Sequence, residues 1–107
     1  MNPRIEELKE AVKNLPTHSG VYLMKNELDK ILYVGKAKNL KNRVRTYFHE
    51  SLDHRKTVAL VRNIHHFDYI LTKTEVEAFL LEASLIKKHR PKFNIRLKDD
   101  YSYPYMQ

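Results

Sequence analysis

Cysteine is absent from the chain. That removes disulfides, thiolate metal sites and cysteine nucleophiles together, and it fits a cytoplasmic protein. Glycine and proline are scarce, at 2 and 4 in 107 residues, which leaves little material for a long flexible linker. No apolar run approaches the ~20 residues that a membrane-spanning helix needs. The opening "MNPRIEELKE" is charged and lacks the apolar core of a signal peptide. There is no internal repeat and no low-complexity segment. The expectation is one domain over residues 1–107, monomeric and with no membrane partner. The length suits a single small core and is too short for two.

What is present points to a polyanion. Lys and Arg number 20 against 13 Asp and Glu, a formal charge of +7. In so short a chain that excess favours DNA or RNA as partner. Hydrophobic residues make up 42%, so a packed core is feasible and global disorder is not expected.

Periodicity sets out the elements. Residues 3–14 read as a helix, capped by Asn2, with Pro3 in the first turn and Glu6 and Glu7 near the positive end. "GVYLMK" (20–25) and "KILYVG" (30–35) read as two strands of an antiparallel hairpin around the polar "NELDK". Gly35 is expected to stop the second strand in a tight turn. "NLKNRVRTYF" (39–48) reads as a helix capped by Asn39, with Leu40, Val44, Tyr47 and Phe48 on one face. A further helix is expected over 54–64 and a third strand over 67–72. Thr74 and Glu77 have the spacing of a capping box opening a helix to about Lys88. The segment from Pro91 onward shows no firm pattern.

One residue breaks the pattern. On the 75–88 helix the expected apolar face is Val76, Phe79, Leu80, Ala83 and Ile86, widened by Ala78, Leu81 and Leu85. Glu82 falls inside that arc, between Ala78 and Ile86. A carboxylate among apolar neighbours is costly unless it is paired or binds a cation. Two readings stand: a salt bridge to a basic neighbour, or a metal or active-site role. A lone carboxylate suits Mg²⁺ or Mn²⁺, which keep most of their waters and take further oxygens from a substrate phosphate.

The basic helix divides in the same way. Lys41, Asn42 and Arg45 face away from the apolar stripe, toward solvent or phosphate. Arg43 precedes Tyr47 by four residues, which makes the two neighbours on one face. An Arg held there can fork onto a phosphate. Lys36 follows Gly35 and is expected in the same corner. Tyr22 and Tyr33 lie on the hairpin strands. A phenol has a pKa near 10, and nearby Lys, Arg or metal is expected to lower it. His65 and His66 are a poor chelating pair if both lie on a strand, where neighbours point to opposite faces.

"GVY" at 20–22 and "YVG" at 33–35 resemble the paired tripeptides of the GIY-YIG nucleases, with Val for Ile in each. "LPTHSGVYLMK", "ILYVGKAKNLKNRVRTYF" and "TEVEAFLLEASLIKKHRPKFNIRLKDDYSYPY" extend the likeness over nearly all of 15–105. They are similar to the branch that serves bacterial nucleotide excision repair. The resemblance implies an α/β (α+β) fold, with about three antiparallel strands flanked by helices, at the N-terminus of a longer multidomain protein. It implies a divalent-metal-dependent endonuclease of the bacterial cytoplasm, using one Mg²⁺ or Mn²⁺. By it, Tyr33, Arg43 and Glu82 are the catalytic core, with Glu82 on the metal. Tyr22, Lys36, Tyr47 and Asn94 match supporting positions, and Lys38, Lys41 and Arg45 are expected on the DNA backbone. The implied substrate is damaged double-stranded DNA, cut 3′ to the lesion after UvrB is loaded there, with UvrA upstream. The rival is a basic nucleic-acid-binding module without chemistry. It explains the charge but not Glu82, which would repel a phosphate.

Overall fold

The structure is a computed structural model that describes residues 2–48 and 55–94, the side chains of 55–57 excepted. Residue 54, where the third helix is expected to begin, and the segment beyond 94 lie outside the described residues. The elements are α1 (Ile5–Val12), β1 (Gly20–Lys25), β2 (Ile31–Ala37), α2 (Leu40–Thr46), α3 (Arg55–Asn63), β3 (His66–Leu71) and α4 (Glu75–His89). The expected α/β architecture is therefore found: one small antiparallel sheet with helices around it. Among the described residues no helix is long and apolar enough to cross a membrane.

The strands run in the order β2-β1-β3, and β1 pairs antiparallel with both neighbours. β1 reads as a near-continuous apolar run because both its faces are covered. Tyr22 and Met24 point into a core built with α1, α2 and α3, which includes Leu8, Val12, Leu40, Val44 and Leu60. Val21 and Leu23 point the other way and pack with Val34 and Ala78. The hairpin turn is held by Asn26, whose side-chain oxygen accepts from the N–H groups of Leu28 and Lys30 at 2.9 Å each. Asp29 takes the left-handed conformation there (φ 67°), which a short polar side chain tolerates. The register slips between Met24 and Lys25, so Leu32 is an extra residue and turns into the larger core.

Four expectations are corrected. Asn2 is not the cap of α1; Arg4 holds that position and no side chain caps it. Buried Asn2 instead accepts from Arg4 N–H and donates to the carbonyls of Val61 and Ile64, all at 2.7 Å. A buried amide needs partners, and here it finds them by tying the chain start to the end of α3.

Gly35 does not stop β2, which continues to Ala37, and no glycine has a positive φ. A turn is not what requires it. It lies opposite Tyr22 in the sheet register, and a Cβ there would stand 2.3 Å from the Tyr22 hydroxyl oxygen. Gly35 is the space into which Tyr22 packs.

The buried face of α4 is also different. Ala78 is buried and Leu81, Leu85 and Ile86 are partly so, whereas Val76, Phe79, Leu80 and Ala83 are exposed. A narrow sheet covers only one strip of a helix, so a wheel full of apolar residues cannot reveal which strip is covered. The cap itself forms: Thr74 accepts from Glu77 N–H at 3.0 Å. The Glu77 carboxylate returns to Lys73 N–H at 2.6 Å rather than to that of Thr74.

The fourth correction concerns the histidines. His65 precedes β3 and only His66 lies on it, so the two rings do not part. Their Nδ1 atoms are 3.0 Å apart. The Nε2 of His66 also meets Asp29 at 2.7 Å, which ties the hairpin tip to β3.

Candidate active site

β2 is an edge strand, and Tyr22, Arg43, Tyr47 and Asn94 gather beside its residues Tyr33 and Val34. On one side stands a group of tyrosines. Tyr22 comes from the centre of β1 and is fully buried. Its ring lies 6.1 Å from that of Tyr33, on β2, and 5.7 Å from that of Tyr47, which follows α2. Tyr33 and Tyr47 are 6.4 Å apart. The hydroxyls of Tyr22 and Tyr47 are hydrogen-bonded at 2.6 Å. Tyr33 is only partly buried, so within this group it is the one with an open side.

α2 brings Arg43 to the same group. The helix is fixed at its start, where Asn39 accepts from Asn42 N–H at 3.0 Å. Leu40 N–H donates to His18 O at 3.0 Å and Lys41 N–H to Pro16 O at 3.1 Å. Leu40 and Val44 are buried and set the rotation of the helix. Arg43 then lies one turn before Tyr47, with its guanidinium carbon 5.8 Å from the ring centroid, within cation–π range. Asn42 and Arg45 are exposed as expected, while Lys41 is half-buried.

Asn94 closes the edge. Its side chain accepts from Val34 N–H at 2.7 Å and donates to Val34 C=O at 2.9 Å. One carboxamide thus pairs with a strand residue as another strand would, and it covers bare backbone. Val34 is the neighbour of Tyr33, so this clamp holds the tyrosine in place. It joins residues 60 apart in sequence, and sequence pattern had no signal for it.

On the other side of β2 lie α4 and Glu82. Glu82 is partly buried, as its place on the wheel indicates, and its negative charge adds to the rise at Tyr33. Lys36 is not brought to the tyrosines. It is paired with Val21, so it faces α4, is exposed, and lines a cleft there with Lys38.

The electrostatics correct one expectation. The phenols of Tyr22, Tyr33 and Tyr47 are all held above the ordinary value, not below it. Burial is the largest cause in each, because a phenolate cut off from water is costly. For Tyr33 the neighbouring Tyr47 adds to the rise, and Glu82 adds a smaller part. Arg43 opposes the shift in all three and does not overcome it.

The donor set suits a hard cation. Among the described residues no three His, Cys, Asp or Glu side chains gather into a closed metal cage. An ion on the Glu82 carboxylate would keep positions open for water and phosphate oxygens, as Mg²⁺ and Mn²⁺ do. A cation there would also offset the cost of a phenolate at Tyr33.

Comparison with known proteins identifies what the chain is similar to. A family model described as the UvrC-like GIY-YIG domain matches residues 18–95. "UvrABC system protein C" of Bdellovibrio bacteriovorus is 69% identical over 105 residues, 97% of this chain and 17% of that protein. The protein of the same name from Clostridium botulinum is 58% identical over 102 residues, 94% of this chain and 16% of that protein. The chain thus spans about a sixth of the length of these relatives. The magnesium-bound crystal structure of the GIY-YIG N-terminal endonuclease domain of UvrC from Thermotoga maritima matches with TM-score 0.73 and 36% identity. The match covers 87% of this chain and 98% of that one. A point mutant of that domain, bound to its catalytic divalent cation, matches with TM-score 0.74 and 35% identity, covering 87% of this chain and 97% of that one.

Proposed function

Since the chain belongs to the UvrC-like GIY-YIG domain family, we propose that it is a divalent-metal-dependent endonuclease domain of nucleotide excision repair. It hydrolyses a phosphodiester bond of damaged double-stranded DNA on the 3′ side of the lesion. Residues 1–107 are one nuclease domain of a longer cytoplasmic protein, and UvrB presents the DNA to it. The observation that carries the reading is the partly buried Glu82 on α4, whose negative charge is felt at Tyr33 on β2. A surface that only held phosphate would have no use for it.

The residues divide the work. Glu82 holds the ion, with the phosphate completing its oxygen shell. When bound, the divalent ion supplies positive charge for the phosphoryl oxygens, the leaving 3′-oxygen and the Tyr33 phenolate. Tyr33 is the general base and takes a proton from the attacking water. Tyr47 and Tyr22 keep it oriented through their packed rings and bonded hydroxyls. Arg43, held over Tyr47, binds the transition-state phosphoryl group, where a fixed donor acts most strongly. Asn94 fixes the backbone beside Tyr33. Lys36 meets the DNA from the α4 side, and Lys38, Lys41 and Arg45 neutralise its backbone without reading bases.

The test is incision of a lesion-bearing duplex by the full-length protein with its loading partner, in Mg²⁺ or Mn²⁺. Tyr33→Phe is expected to lose about 10²–10⁴ of the rate, the range for a lost acid–base group, and Glu82→Gln to lose metal-dependent cleavage, each with the fold retained. Normal incision by Tyr33→Phe would remove the base assignment. A Glu82→Gln variant that unfolds would show that Glu82 serves a structural ion pair.

A further inference from the structure

Three apolar side chains of α4 stand in water. Phe79 is 54% exposed, Val76 68% and Leu80 60%, and their spacing places them together on the helix. An exposed apolar group of this kind marks a contact surface more often than an isolated leucine does. Two of the three also belong to a cleft of about 310 Å³ between the end of β2 and the start of α4. Lys36 on β2 and Lys38 just beyond its end line one side, and Glu75, Val76, Ala78 and Phe79 of the helix line the other. Phe79 precedes Glu82 by three residues, so the two are neighbours on the helix surface.

We propose that this cleft seats one nucleotide of the DNA substrate next to the scissile phosphate. Its base lies against the Phe79 ring and its phosphate against Lys36 and Lys38. The inference rests on the endonuclease reading and extends it to a binding site for a single unit of the strand. Three observations select this occupant. The cleft combines an aromatic face with two cations, the pairing that single-stranded nucleic acid takes. Its two lysines outweigh Glu75, so the local charge suits a phosphate. Its volume lies at the small end of ligand pockets, about 300–1,000 Å³, and suits one nucleoside. Stacking on phenylalanine is tolerant of base identity, which suits an enzyme directed by damage rather than by sequence.

The test uses Phe79→Ala, Phe79→Leu and Phe79→Trp in the full-length protein. One readout is incision of a lesion-bearing duplex. The other is fluorescence of a bubble-containing duplex carrying 2-aminopurine at successive positions. Ala and Leu are expected to weaken both cutting and binding by about 5- to 150-fold, the range for one lost stacking contact, and Trp to restore them. Quenching at one position is expected in the native protein and lost in Ala and Leu. Cutting and quenching unchanged in Phe79→Ala would overturn the proposal. So would a Leu variant that behaves as native while Ala fails to bind the loading protein, which would make the face a protein contact. If the native protein quenched 2-aminopurine through Phe79 yet cut nothing in either metal, the nucleotide site would stand and the endonuclease reading would fall. Since Phe79 is exposed, unchanged thermal unfolding is expected in all three variants.

Discussion

Replacing Gly35 with alanine tests the physical reason given for that glycine. The added Cβ would lie 2.3 Å from the Tyr22 hydroxyl oxygen and 2.4 Å from its Cζ, where ordinary contact begins at 3.4 Å. One group must retreat by about 1 Å, the difference between 3.4 and 2.3 Å. Tyr22 has nowhere to go. It is fully buried, flanked by Tyr33 and Tyr47, and bonded to Tyr47 at 2.6 Å. Overpacking a core costs about 1–3 kcal/mol, and the strained hydroxyl bond adds about 0.5–1.5. A mid-range loss of about 3 kcal/mol lowers the midpoint of a domain this size by roughly 12–24 °C. Against a total of about 5–15 kcal/mol, the variant remains folded at low temperature. Thermal and urea unfolding measure the loss, and incision is expected to fall with it as the tyrosines are displaced. If the glycine served no such purpose, its ordinary negative φ would make alanine neutral or stabilising by about 0.4–1 kcal/mol. A variant as stable as the native chain would refute the packing argument.

Asn94→Ala removes both bonds to Val34; a loss of about 1–3 kcal/mol is expected from the exposed strand edge, seen as faster hydrogen exchange at the Val34 amide. Arg43→Ala is expected to slow cutting about 10²–10³-fold and weaken DNA binding far less; equal losses in a gel-shift and an incision assay would reduce Arg43 to a phosphate clamp. The phenols of Tyr22, Tyr33 and Tyr47 are raised in the folded state, mainly by burial, while unfolded tyrosine ionises near 10. Above pH ~10 the folded chain therefore binds more protons than the unfolded one, so their contribution to stability, complete below pH ~10, is lost as pH rises. In a metal-free absorbance titration at 295 nm these three are expected to ionise only as the domain unfolds; early titration of all of them would contradict the burial argument.

Much of this fold is legible because its signals are local. Asn39 and Thr74 read as caps and act as caps. The hairpin follows from two apolar runs around a polar turn, and its register places Gly35 opposite Tyr22. That register was the available sign that the glycine is a packing residue. A sequence does not distinguish a glycine needed for a turn from one needed for space. The exposed face of α4 was misplaced because apolar pattern records what avoids water, not which neighbour covers it. The direction of the tyrosine shifts was misjudged because proximity to Arg43 is visible in helical spacing, whereas burial from several elements at once is not. In the site, Glu82 was legible as a break in pattern and Arg43 with Tyr47 as an i, i+4 pair. Asn94 entered by resemblance alone, since its partner Val34 is 60 residues away.

The central claim is that Glu82 holds a divalent ion beside Tyr33 and Arg43. Anomalous diffraction from a crystal soaked in Mn²⁺ tests it most directly. One manganese peak is expected at about 2.1 Å from a Glu82 carboxylate oxygen, the distance of a small hard divalent ion, with water filling its remaining positions. A peak elsewhere, with the Glu82 carboxylate engaged by a lysine or arginine instead, would contradict it.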